Sequence, residues 1–247
     1  MRRARARQSA TSVEKNAEFF AREDYGRYAA ELDSHRLMRE VITREVRGIG
    51  HVLDVGNGGV FEYDPAVVDS IVAIDLFLDQ LPGSHFPPNV TARRGDALRL
   101  QEPPDHYDAV LQTFLFHHLV GERPADLLAN VRRALAQAEK PLKPGGRLIV
   151  AESCVPPWFY AVEKLLFWAL RALARTPLLG GHPATLQLPF DVLTELIGER
   201  FEIERAYELP LGRWVTQFGR RWPRALTPVR TYLVAARKRP PAATEPR

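Results

Sequence analysis

The chain has 247 residues, 45% of them hydrophobic and 26% charged, which suits one α/β unit around a single core and excludes a low-complexity chain. Its formal charge of +4 is accounted for by Arg2, Arg3, Arg5 and Arg7. The rest is balanced and offers no broad basic face for nucleic acid.

Residues 1–12 (MRRARARQSATS) lack apolar periodicity and read as a disordered basic arm. No apolar run follows, so the arm is not a secretory signal; an organelle transit peptide or a compositional bias toward arginine are the other readings. Residues 13–48 read as two helices forming a lid. Val13 to Ser34 carries Phe19, Phe20, Tyr25 and Tyr28, and His35 to Val46 sets Leu37, Met38, Val41 and Ile42 on one face.

The segment His51 to Asp75 is the most informative. An apolar run closes on Asp54, the turn Gly56-Asn57-Gly58-Gly59 follows, and a short helix leads to a second apolar run closing on Asp75. Glycines admit positive φ and let a ligand approach the backbone, while an acid about twenty residues on reaches ribose hydroxyls. A dinucleotide fingerprint would need a third glycine where Phe61 stands. Asp54, two residues ahead of Gly56, would repel a pyrophosphate and attract a ligand bearing an ammonium group.

Four further stretches follow in order. Gly95-Asp96-Ala97 succeeds a short strand at Val90-Thr91-Ala92, and Tyr107 to Thr113 reads as the fourth strand. Leu115-Phe116-His117-His118-Leu119 opens a helix, and Leu142-Lys143-Pro144-Gly145-Gly146 is a turn before a fifth strand, Arg147 to Ser153. Pro124 to Ala138 is an amphipathic helix. Phe190 to Ile197 is another helix, and Phe201 to Leu209 and Thr231 to Ala236 are the last strands.

On these residues the sequence resembles the class I S-adenosylmethionine-dependent methyltransferases of the small-molecule type. The resemblance spans residues 50–153 and rests on Asp54-x-Gly56-x-Gly58, Asp75, Asp96 and the Leu-His-His-Leu start. It implies a doubly wound, mostly parallel, seven-stranded α/β sheet, with an N-terminal helical lid and a helical insert after strand 5. One domain is expected over 13–238: lid 13–48, cofactor core 50–153, insert and last helix 154–200, and last strands with a second insert 201–238. Residues 239–247 read as a disordered tail. By the same resemblance S-adenosyl-L-methionine is the cofactor. Asp54, Gly56, Asn57 and Gly58 would cradle its amino-acid end, Asp75 would hold its ribose and Asp96 meet its adenine amino group, with Leu76, Ala97, Gln112 and Thr113 also among the cofactor-binding residues.

A sulfonium methyl group is already a strong electrophile, so alignment supplies most of the rate, and a base is needed only for a hydroxyl or protonated amine. His118, ahead of His117, is the candidate base because histidine titrates near neutrality. Packing or capping is the alternative for both. Glu152 and His182 are weaker candidates, Glu152 reading first as a hydrogen-bonded structural group. Cys154, with no paired histidine or second cysteine, reads as an inert buried thiol in a reducing, cytoplasmic setting. No cluster has metal-ligand spacing, so no metal is expected.

Pro157 to Arg175 reads as one helix, apolar almost all round, with Lys164, Arg171 and Arg175 on a stripe. Its charge-free run Leu165 to Leu170 is too short to span a bilayer. It reads as a lid over an apolar acceptor, an interfacial helix contacting lipid, a subunit interface or a core helix. Residues 210–230 interleave Arg213, Trp214, Arg220, Arg221, Trp222 and Arg224, which stack on one another or bind phosphate. The sequence thus points to a hydrophobic small-molecule acceptor, first by O-methylation, in a monomer or homodimer. The alternatives are a catalytically silent subunit that binds a protein partner and, less favoured, a nucleic-acid methyltransferase: Gln112-Thr113-Phe114-Leu115 stands where an Asn/Asp-Pro-Pro-Tyr motif would be.

Overall fold

The computed structural model describes residues 33–76, 78, 86–173, 185–209, 212–217 and 220–240. The basic arm, nearly all of the first lid helix, His182, Arg175 and most of the tail lie outside them. Seven strands form one sheet in the order β3-β2-β1-β4-β5-β9-β6. They are β1 (His51–Val55), β2 (Ser70–Asp75), β3 (Val90–Arg94), β4 (Tyr107–Thr113), β5 (Leu142–Cys154), β6 (Phe201–Glu208) and β9 (Arg230–Lys238). β1 to β5 pair in parallel, and β9 runs antiparallel between β5 and β6. The chain order reverses beside β1, where β2 lies on one flank and β4 on the other. That crevice at the strand ends is where a doubly wound sheet holds its ligand.

The central strands are apolar on both faces because helices cover both. On one face Met38, Ile42 and Val46 of α1 (Asp33–Val46) pack with Val52, Ile71, Leu111, Ile149 and Leu233. On the other, Leu127, Val131 and Leu135 of α2 (Pro124–Glu139) pack with Leu53, Val110, Leu148 and Val234. The spacing of those three α2 residues gives one buried stripe, and Arg132 and Arg133 stay on the exposed side. Pro124 at the first turn and Asp126 reaching back to the Arg123 amide start that helix.

Three expectations are corrected, and one insert gains a structure. Leu142 to Gly146 belongs to β5, since Leu142 already pairs with Tyr107, and a register shift before Ala109 absorbs the Pro-Gly-Gly. The Leu-His-His-Leu segment forms one 3-10 turn, Phe116–His118, and the long helix waits for Pro124. The insert is two helices, α3 (Pro157–Leu165) and α4 (Phe167–Leu173), because the backbone at Leu166 reaches φ −90° and ψ 4°. Within residues 210–230 the chain makes a hairpin, β7 (Trp214–Gln217) with β8 (Arg220–Pro223). The last helix, α5 (Phe190–Gly198), and the last strands stand where expected.

Candidate active site at the strand tips

The turn after β1 is built on Asp54. Its side chain is fully buried, and one carboxylate oxygen accepts from Asn57 Nδ2 at 2.9 Å and Tyr63 OH at 3.0 Å. Asn57 Oδ1 in turn accepts from the Gly59 amide at 2.9 Å. Burial pushes the Asp54 carboxyl up to about 7, against the lowering effect of Asn57 and Tyr63, with Asp75 and Glu62 raising it further. Asp54 therefore shapes the loop from beneath rather than presenting an open charge to solvent. Its Oδ1 is buried without a hydrogen-bond partner among the described residues.

Two glycines have specific work here. Gly56 has φ +80°, its amide donates to Ile74 O at 2.8 Å, and a Cβ there would lie 2.5 Å from Leu115 Cδ1. Gly58 has φ +59°, and a Cβ there would meet nothing within 4 Å. Its amide donates to Asp75 Oδ2 at 3.0 Å, which ties the loop to the tip of β2. The loop between β1 and β2 is thus open on one side and backed by Leu115 on the other.

The remaining predicted cofactor residues come to the same end of the sheet. Leu76 follows Asp75 directly, and Gly95 donates to Asp75 O at 2.9 Å, so the Asp96–Ala97 turn lies beside it. Asp96 Oδ1 accepts from the Leu98 amide at 2.8 Å, which fixes that turn. Gln112 is 1% exposed, and both polar atoms of its side chain lack a partner among the described residues. Buried amides are normally hydrogen-bonded, so an unsatisfied one at a strand tip suits a ligand. Thr113 beside it is buried. Phe114 takes φ +53°, strained for a bulky residue, and turns the chain sharply out of β4. Asp54 Oδ1, Gln112 and the bare Gly58 fit an adenosine-bearing cofactor with polar ends.

The carboxylate at the mouth belongs to His117. Glu152, 2% exposed, accepts from the Phe116 amide at 2.6 Å, the Ser153 amide at 2.7 Å and His117 Nδ1 at 2.6 Å. With Nδ1 as donor, the ring keeps Nε2 as its basic nitrogen. His118 sits beside it, its ring centroid 4.1 Å from that of His117, with Nδ1 buried. Sequence reasoning ranked His118 first and left Glu152 structural; what it missed was the pairing across 35 residues, which no local spacing reports. Cys154 is buried, and burial together with nearby Glu152 pushes its thiol far up, as suits an inert group.

The insert roofs this corner. Leu188 forms a parallel bridge with Cys154, and the Leu186 amide donates to His117 O at 3.3 Å. Arg171 Nη1 on α4 donates to Gly121 O at 3.1 Å and Glu122 O at 3.2 Å, holding the insert over the loop past the histidines. Phe159 is partly buried against the core, whereas Trp158 is 64% exposed. A surface depression of about 510 Å³ lies at the opposite end of the sheet, lined by Asp105, Glu139 and Lys238. Its charges already pair, Asp105 with Lys238 and Glu139 with Arg200, and it is remote from the strand tips. Among the described residues no group of three or more His, Cys, Asp or Glu is placed to hold a metal.

A family model described as a methyltransferase domain matches residues 53–150. Solved structures share the fold. A Methanosarcina mazei S-adenosylmethionine-dependent methyltransferase superposes with a TM-score of 0.56 at 15% identity, over 81% of this chain and 98% of the other. The Bradyrhizobium japonicum N-methyltransferase NodS, bound to S-adenosylhomocysteine, gives 0.56 at 13% identity over 92% and 97%. A geranyl diphosphate methyltransferase, bound to geranyl diphosphate and sinefungin, gives 0.55 at 13% over 81% and 77%. No curated protein matches the chain.

Proposed function

We propose that this S-adenosylmethionine-dependent methyltransferase of the class I fold methylates a hydrophobic small molecule, at oxygen first, with His117 as the base. The observation that carries the reading is the Glu152–His117 pair at the mouth of a cofactor fold. In that reading Asp75 and Leu76 hold the ribose, and the loop Asp54 to Gly58 holds the amino-acid end. Asp96, Ala97, Gln112 and Thr113 line the adenine side. S-adenosylmethionine, when bound, supplies a methyl group on a positively charged sulfur, an electrophile that needs no metal.

The protein's own part is to orient and to take a proton. Glu152 holds the Nδ1–H, so His117 Nε2 accepts the hydroxyl proton and Glu152 stabilises the imidazolium that results. Phe159 and the segment around Leu186 exclude water from the acceptor, which strengthens each polar contact inside. An apolar acceptor fits the partly buried Phe159, Leu119 and Val120 near the histidines. The geranyl diphosphate methyltransferase offers a parallel for a ligand with an apolar hydrocarbon chain on this fold. The balanced charge of the body and the absence of an Asn/Asp-Pro-Pro-Tyr motif count against nucleic acid.

The test is a kinetic pair on a hydroxyl acceptor found by screening apolar alcohols and phenols. His117→Ala should lower kcat about 10²–10⁴-fold, and Glu152→Gln should lower it too while leaving S-adenosylhomocysteine affinity unchanged. His118→Ala should cost under about tenfold, within what misalignment alone explains. A large loss at His118 with normal rates at His117 would return the base to His118.

A further inference from the structure

The helical insert is inside out. Along α3 and α4 the outward stripe is Trp158, Val162, Leu165, Leu166 and Trp168, exposed by 64, 41, 81, 45 and 60%. The inward side holds Tyr160, Phe167 and the segment's one acid, Glu163, which is 7% exposed. A helix packed on a core in water carries the opposite arrangement. The second insert repeats the feature: Trp214, Trp222 and Leu226 are exposed by 50, 41 and 73%. Every exposed large apolar side chain among the described residues lies in these two inserts. The four tryptophans are all the chain has.

Both inserts leave the same end of the sheet. α3 follows Cys154, which pairs with Arg230, and the hairpin lies between Glu208 and that same Arg230. Charge follows the same division. Residues 157–175 and 210–230 contain eight lysines and arginines against Glu163 alone, in a chain whose total is +4. Two of them, Arg224 and Arg230, share Glu208 beneath the hairpin, and Arg171 binds backbone carbonyls, so the excess stays positive.

From this we infer that the end carrying the two inserts docks on an anionic lipid bilayer surface, with the tryptophans and leucines in the headgroup region and the basic residues against lipid phosphates. Tryptophan prefers that boundary, and an apolar helix face flanked by cations is the usual device for lying on it. A second copy of the chain would cover the apolar stripe but would bring a matching basic excess against this one. Lipid satisfies both features. No helix of the described residues is long and apolar enough to cross a membrane, so the contact is peripheral. The inference does not depend on the identity of the methyl acceptor.

The test uses the full chain with vesicles of phosphatidylcholine mixed with phosphatidylglycerol, and with phosphatidylcholine alone. The protein should pellet with the mixed vesicles and bind the neutral ones at least about tenfold more weakly, because cations near an anionic surface are drawn to it. Tryptophan emission should shift to the blue on binding, and high salt should release the protein. Leu165→Glu and Trp168→Glu should each weaken pelleting about tenfold and leave S-adenosylhomocysteine affinity intact, which separates lost docking from a lost fold. Failure to pellet with anionic vesicles, or pelleting indifferent to lipid charge and salt, would overturn the inference. So would a dimer in light scattering that Leu165→Glu dissociates, which would assign the stripe to a second copy.

Discussion

At the residue scale, two buried carboxyls set how the fold responds to pH. Asp54 is pushed up to about 7 from 3.8, first by burial, and Glu163 to about 8 from 4.5, again by burial, with a backbone hydrogen bond from Gln187 opposing it. Between the unfolded and folded values the native state holds more protons than the unfolded chain. The stability these groups contribute is therefore full only below about pH 4, near the unfolded values, and is lost progressively as pH rises through the folded values of about 7 and 8. We expect Tm to fall between pH 6 and pH 8.5 by a component that Asp54→Asn and Glu163→Gln together flatten; an unchanged slope in the double variant would refute it. Gly56 gives a sharper case. At φ +80° with Leu115 Cδ1 2.5 Å from its absent Cβ, Gly56→Ala should cost about 1–3 kcal/mol from backbone strain alone. The expected readout is a Tm lower by roughly 2–4 °C for each kcal/mol, with weakened S-adenosylhomocysteine binding.

At the element scale, the edge of the sheet is fastened to α1 through Glu45. Its carboxylate, 8% exposed, pairs with Arg147 at 2.9 Å and Arg205 at 3.0 Å and accepts from Tyr207 OH at 3.2 Å. Removing it by Glu45→Ala leaves Arg147, which is 21% exposed, with the longer contact to Glu204 at 3.4 Å and the Glu45 carbonyl at 3.1 Å, so we expect a loss of about 1–3 kcal/mol in denaturant unfolding, below the 3–5 of a fully buried pair. A loss under about 0.5 kcal/mol would mean that solvent screens the cluster. The elements that could be read from the chain were those with a local signature. The apolar run into Asp54, the glycines and the acid of Asp75 carry theirs within 25 residues, and α2 carries its stripe in one helix. The hairpin at Trp214 had no turn signal apart from Gly219, and the bend at Leu166 sits in a run without glycine or proline. The Glu152–His117 contact joins two strand ends and depends on tertiary register, which no local spacing reports.

At the scale of the whole molecule, the chain divides its labour along the sheet axis. One end holds its surface charges in pairs, as Asp105 with Lys238 and Asp108 with Lys143 show, and carries no exposed tryptophan. The other gathers the glycine loop, the histidines, the Gln112 amide, which has no partner among the described residues, and both inserts. This is the end from which parallel strands deliver side chains, so insertion there changes substrate and surroundings without touching the core. The central claim is that this end takes S-adenosylmethionine. It is tested most directly by calorimetric titration of the protein with S-adenosylhomocysteine and, separately, with NAD. The account predicts saturable one-to-one binding of S-adenosylhomocysteine, weakened by about 1.5–3 kcal/mol in Asp75→Ala, and no binding of NAD. Binding of NAD with no response to S-adenosylhomocysteine, or an Asp75→Ala protein that binds as well as the parent, would contradict it.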